Sequence, residues 1–471
     1  MKTKSMGQIF TPAIVVDKIL DLVNYKGNVV LHTKIMEPSF GNGAFLTKIT
    51  TKIIEEGKAN SLSNDDIIKT IQTNVFGIEK DTILYQQAIS NIKEVLNRHG
   101  IKDEVDFPNL LNADTFDTFE KYNNTFDFIV GNPPYLTLHT METKDEIRKL
   151  HFTANGMTDI YIAFFEMGIK MLKHDGRLGY ITPNSYFNST AGKTMRKTFM
   201  DENLLEFVFD YGHHQVFSDA LTYTCITILN CNKSTNTIKF QQYGDAAKNL
   251  SNEDFYINEH FYFTATKDFR EIVGYSGERY CCVKNGCATL WDKFFIDSEI
   301  ATKSIFSIPI IKASTGKTHK CFYPYDTSGK PIPYSEIKKD KIAEKILTQN
   351  KERLLQRSSI DTNFWYAFGR TQALSDTYKN KYSINAIFKT TSDIHIVHCK
   401  EGCAVYGGLY ILSELSLDVI KNIVCTDSFI QYITTMSKYK NGGYYTATAK
   451  DIENYINFKL SLRYKAHKTS V

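Results

Sequence analysis

The chain has 471 residues, of which 42% are hydrophobic and 23% charged, and its formal net charge is +4. That length supports two or three domains with real cores, and the composition is that of an ordinary globular protein. No uninterrupted apolar run approaches the ~18 residues of a membrane span, and the start MKTKSMGQIFTP has no apolar signal core, so a cytoplasmic protein without membrane association is expected.

In chain order, Gly7-Gln8-Ile9-Phe10-Thr11-Pro12 precedes an apolar-periodic stretch from Ile14 to Val23. Thr11 as N-cap and Pro12 at the first helical position predict a helix, with a tight loop before it that either braces a sheet or covers a ligand. Next, a short strand ends at Glu37 and turns through Pro38-Ser39-Phe40-Gly41-Asn42-Gly43 into a helix carrying Phe45, Leu46 and Ile49. Gly41 and Gly43 allow close backbone approach to a ligand. A dinucleotide fingerprint wants a third glycine where Leu46 stands, and no Gly-Lys-Ser/Thr follows for a P-loop.

A second strand, 74–78, ends at Glu79 before a long helix from about Asp81 to Asn97, and a third ends at Asn112-Ala113-Asp114. An acid ending the second strand suits ribose hydroxyls, and Asp114 suits an adenine amine. Glu37, Glu79 and Asp114 thus close three successive strands. The fourth strand, Phe126 to Val130, stops at Asn132-Pro133-Pro134-Tyr135, where two prolines forbid its continuation. An Asn amide oxygen beside a backbone carbonyl can accept both hydrogens of one planar amine, and Tyr135 offers a stacking face. A helix from Asp159 to Leu172, stopped by Asp175-Gly176, then strands 178–182, 206–211 and 224–229, complete the pattern. The alternation predicts an α/β fold, a doubly wound mixed seven-stranded sheet.

GQIFTP, EPSFGNGAFL, GIEKD, NADTF, GNPPY, DIYIAFFE, RLGYITPNSYF and QVFSDALTYTCITIL occur in one order over residues 7 to about 230. In that order they resemble the gamma-class N6-adenine DNA methyltransferases of restriction-modification systems, within the class I S-adenosylmethionine-dependent fold. The resemblance implies that S-adenosylmethionine, leaving as S-adenosylhomocysteine, is held by Thr11, Glu37, Ser39, Gly41, Gly43, Glu79, Asp114, Asn132 and Phe164. It implies that Asn132 and the Pro133 carbonyl accept the N6 hydrogens of a flipped adenine, with Tyr135 on one face of the base and Phe217 on the other. No metal is expected in that chemistry. Asn at the head of the tetrapeptide favours adenine N6 over cytosine N4. Ribosomal RNA adenine and protein glutamine methyltransferases resemble the catalytic half too, but the glutamine enzymes usually place a small helical domain before the sheet.

Residues 1–240 carry 25 Lys/Arg against 28 Asp/Glu, and residues 241–471 carry 31 against 24. That split fits a catalytic domain, 1–240, followed by an α+β domain, 241–471, that meets double-stranded DNA; a solvated basic surface explains it equally well. The later half resembles the family's target-recognition region more loosely, with Arg370 and Gln372 as candidate base readers. A helical stretch is expected around 335–356. Asp326 with Glu336-Ile337-Lys338 has nuclease-like spacing, which would make a combined restriction-methylation enzyme, but such spacing arises easily by chance. His398-Cys399 and Cys403 lack a matching second half for zinc, and the nine cysteines read as reduced thiols. The expected partner is a restriction endonuclease on a separate chain, and the expected state is a monomer.

Overall fold

The computed structural model describes residues 10–101, 105–138, 144–154, 157–217, 222–358 and 360–469. Gly7, Gln8 and Ile9 of the first loop, and Ser218 of the Phe217 loop, lie outside the described residues. The chain forms two compact units, Met1–Ala265 and Thr266–Val471.

The first unit carries strands Ile35–Glu37 (β1), Val75–Glu79 (β2), Leu110–Asn112 (β3), Phe126–Gly131 (β4), Leu172–Pro183 (β5), Leu205–Asp210 (β6), Thr224–Asn230 (β7), Thr237–Gln242 (β8) and Lys248–Ser251 (β9). They form one sheet in the order β3-β2-β1-β4-β5-β7-β6-β8-β9. The pairs from β3 to β5 are parallel, and β7 runs antiparallel to both of its neighbours. Period-two alternation feeds two cores. Ile35, Phe128 and Val130 pack with helices Ala13–Leu22, Ala44–Ala59 and Thr82–Arg98 on one face. Met36, Ile129 and Leu178 pack with helix Ile160–Met171 on the other. The sheet grows outward in both directions from the β1–β4 pair, so the carboxyl ends of these strands flank the crevice where such sheets take ligands.

Sequence and structure differ at several points. Among the described residues the sheet has nine strands rather than seven, because β8 pairs parallel with β6 and β9 antiparallel with β8. The first unit therefore runs past residue 240 to Ala265. Thr11 is not the helix cap: Pro12, extended at ψ 142°, holds that position, and its carbonyl accepts from Val15 and Val16. Asp175-Gly176 does not separate helix from strand. β5 starts directly at Leu172 and skips register against β4 between Leu172 and Arg177. Gly176 fits there because a Cβ would stand 2.9 Å from the Phe126 carbonyl.

The second unit is α+β, with sheets of four, three and three strands and a helix, Ala449–Thr469. The helical stretch expected over 335–356 is broken into Tyr334–Ile337, Lys341–Gln349 and Lys351–Leu355. Asp340 accepts from Ile342 and Ala343 N–H and so starts the second piece afresh. Two of this half's cations are internal braces. Arg357 donates to the carbonyls of Leu354, Thr289, Trp365 and Ala367, and Lys381 to those of Asp376, Thr377 and Lys379. Among the described residues no helix is long and apolar enough to cross a membrane.

Candidate active site

At the carboxyl ends of β1, β2 and β4 lies a cavity of about 410 Å³. Thr11, Glu37, Ser39, Gly41, Glu79, Asp114, Asn132, Pro133 and Phe164 line it, so most of the expected residues share one wall or another. Gly43 does not line it. At φ 82° it begins helix Ala44–Ala59, and a Cβ there would stand 2.9 Å from the Ala88 side chain. Its requirement is helix packing. Phe10, Asn42, Lys80, Leu84, Phe116 and Ile160 also line the cavity and were missed. Phe116 and Ile160 stand inside the motifs NADTF and DIYIAFFE, which was the available signal.

Two buried carboxyls face this space. Glu79 accepts from the N–H groups of Gly41 and Asp81, both at 2.8 Å. Glu37 keeps Oε2 buried with no hydrogen-bond partner. Burial raises the Glu37 carboxyl well above the usual range, the charge of Glu79 adds to this, and the Leu46 N–H opposes it. Burial also raises Glu79, against the pull of its N–H donors. An orphaned acceptor in a largely apolar cavity calls for a donor-bearing ligand. Asp114 is partly engaged: Oδ1 accepts from Phe116 N–H at 3.0 Å and Oδ2 pairs with Lys80 at 2.8 Å. Phe164 meets Phe116 edge-on, with centroids 5.7 Å apart.

The tetrapeptide at the end of β4 is held on both sides. Ile160 N–H donates to the Leu136 carbonyl at 2.8 Å, Leu138 N–H to Thr158 at 2.9 Å, and Thr137 Oγ1 to Asp159 at 2.8 Å. The Tyr135 hydroxyl donates to the Ile181 carbonyl at 3.2 Å. Asn132 thus reaches the cavity from a fixed corner. Tyr135 and Phe217 lie beside one another rather than across a gap, with centroids 6.3 Å apart and planes at 68°. A base between them needs the rings parallel and roughly 7 Å apart, two contacts of about 3.5 Å each. The parallel arrangement of Tyr135 and Phe217 that the sequence led us to expect is therefore absent from this structure.

In the second unit Arg370 is exposed, whereas the Gln372 amide donates to the Gly286 carbonyl at 2.6 Å and acts as a tether. Asp326 accepts from Ser328 and Lys330 within its own turn, and Glu336 pairs with Lys339. Cys399 and Cys403 are buried in one small core. Among the described residues no group of three His, Cys, Asp or Glu side chains converges as metal ligands would.

Residues 17–217 match the family described as Eco57I restriction-modification methylase. The chain is 28% identical over 324 residues to the Type II restriction enzyme and methyltransferase RM.Eco57I of Escherichia coli, covering 55% of this chain and 32% of that one. The Type II methyltransferase M.BstVI of Geobacillus stearothermophilus is 28% identical, covering 46% and 40%. M.XhoI of Xanthomonas vasicola is 30% identical, covering 47% and 42%. The chain thus spans from 32% to 42% of these relatives' lengths. Among solved structures, the Type IIL restriction-modification enzyme MmeI in complex with DNA has a TM-score of 0.65 at 13% identity, covering 93% of this chain and 63% of that one. The chain shares the fold of that restriction-modification enzyme.

Proposed function

We propose that the protein transfers a methyl group from S-adenosylmethionine to N6 of an adenine flipped out of duplex DNA, at a specific sequence. The observation that carries this reading is that Asn132, at the head of a rigid Asn-Pro-Pro-Tyr corner, lines the same cavity as Glu37, Glu79 and Asp114. One cavity then serves a nucleoside-bearing donor and an acceptor nitrogen together. The residues fit the donor: Glu79 takes ribose hydroxyls, the unpartnered Glu37 oxygen takes an N–H-bearing group, and Phe164 lies against the ligand's flat face. When bound, the cofactor supplies an electrophilic methyl on a sulfonium sulfur.

Adenine N6 is a weak nucleophile because its lone pair is delocalised into the ring. Asn132 Oδ1 and the Pro133 carbonyl accept its two hydrogens at about 2.9 Å and localise the lone pair on nitrogen. Once N6 carries the methyl group, its surplus proton is lost to water. Positioning and charge stabilisation carry the rate, so no strong general base is needed. Tyr135, with Phe217 turned to face it, offsets the stacking lost on flipping.

The second unit supplies recognition, with Arg370 toward a base edge, and the protein acts as a monomer beside a separate restriction endonuclease. The combined restriction-methylation reading has the name of the Escherichia coli relative in its favour. Incubation with unmethylated DNA, labelled cofactor and Mg²⁺, followed by base mapping, tests both. Label on adenine N6 without cleavage is expected. Cleavage selects the combined enzyme, and label confined to glutamine or RNA overturns the assignment.

A further inference from the structure

β8 carries more than extra sheet. It lies parallel beside β6 with Asp210 opposite Gln242, so the next residue, Tyr243, emerges at the same sheet edge as the tetrapeptide. Its N–H donates to the Asp210 carbonyl at 2.8 Å. Tyr243 is 49% exposed, and His214 lies flat upon its ring, with centroids 3.9 Å apart and planes 10° off parallel. Tyr211 flanks both rings at 6.0 and 6.2 Å and leans edge-on against Phe209.

His214 belongs to the segment that delivers Phe217. The segment leaves β6 under two ties: Gly212 N–H donates to Asp210 Oδ1 at 3.1 Å, and His214 N–H donates to the Tyr211 carbonyl at 2.9 Å. Asn184 Nδ2 fixes the same Asp210 oxygen at 2.9 Å. Further along, the Gln215 amide donates to the Phe217 carbonyl at 2.9 Å, and Phe217 rests edge-on against Tyr135. The outward side of this segment is held by a ring from a strand that the methylase match, ending at 217, does not include. An exposed Tyr–His stack is weak alone, but it fixes a segment only six residues long whose far end must be placed to within about an ångström.

We propose that Tyr243, acting through His214, is a positioning residue that clamps residues 212–217 and so sets where Phe217 stands when the target base is captured. This rests on the base-flipping reading above. Y243A and H214A should each lower kcat roughly tenfold, in line with the cost of small misplacements. KM for DNA and Kd for S-adenosylmethionine should stay within about twofold, because neither ring lines the cavity. Y243F keeps the ring and should restore wild-type kcat. The double variant should be no worse than either single one, as expected for two halves of one contact. H214A alters an exposed loop side chain, so it carries the test should Y243A fail to fold. Hydrogen exchange at the amides of 214–217, measured without substrate, should speed up in Y243A and H214A but not in Y243F. Unchanged exchange and kcat in Y243A, additive losses, or a loss confined to KM for DNA overturns the clamp. If wild-type protein methylates no DNA while exchange behaves as stated, the functional reading falls and the clamp stands.

Discussion

The cavity proposed for the cofactor and the slot proposed for the target base adjoin at Asn132 but are built differently. The cavity is preformed: its carboxyls are set by backbone N–H donors, its corner is pinned by Ile160 and Thr158, and its volume stands open. The slot is not, because Phe217 leans against the ring it is expected to face. On the proposed reading, a small ligand would be met by a rigid site, whereas a base drawn from a duplex would meet a site that opens with it.

Substitutions can break or sharpen this contrast. Asn132→Ala removes one of two acceptors from the reacting nitrogen and should cost about 10²–10³-fold in kcat, as loss of one preorganised hydrogen bond does. Calorimetry should still show cofactor binding, and turnover near wild type would remove Asn132 from the chemistry. Glu79→Gln acts on the other side of the divide. It should weaken cofactor binding by roughly 10–100-fold, the worth of a hydrogen bond to a charged group, with kcat at saturating cofactor little changed. Gly43→Ala should destabilise the fold by ~1–3 kcal/mol, through strain at φ 82° and overpacking against Ala88. At a temperature where the variant is folded, cofactor affinity should be unaltered; a selective loss of affinity would return Gly43 to the binding site.

The smallest effect is on pH dependence. Burial and Glu79 raise the Glu37 carboxyl above its unfolded value of 4.5. The unfolded chain therefore loses that proton first. Glu37's contribution is fully present below that value and is lost as pH rises toward the folded-state pKa. Glu37→Gln should accordingly raise Tm by a margin that widens upward from pH 4.5. A margin flat with pH would show that Glu37 titrates normally.

The strand-end acids were legible in the sequence because each closes a short apolar run, and a run's end fixes the sheet edge to which its acid belongs. Asn132 was legible for the same reason, since the prolines mark where β4 must stop. The two glycines could not be told apart, because Gly41 beside the cavity and Gly43 against Ala88 differ only in what the fold brings near them. β8 was missed although Thr237–Phe240 alternates in burial, since a change in charge balance is no guide to strand pairing. In the second unit, Gln372 and Arg357 show why base readers resist sequence reasoning. A side chain rich in donors serves a carbonyl of its own chain as readily as a nucleic acid.

The β6–β8 pairing also decides where this protein can be divided. A fragment ending at residue 240 would sever β8 in its middle and leave the Phe209–Asp210 end of β6 without its partner along that side. Such a margin recruits whatever strand it meets, most readily that of an identical fragment, so self-association would be mistaken for a property of the intact protein. Cutting after Ala265 keeps that margin sheathed.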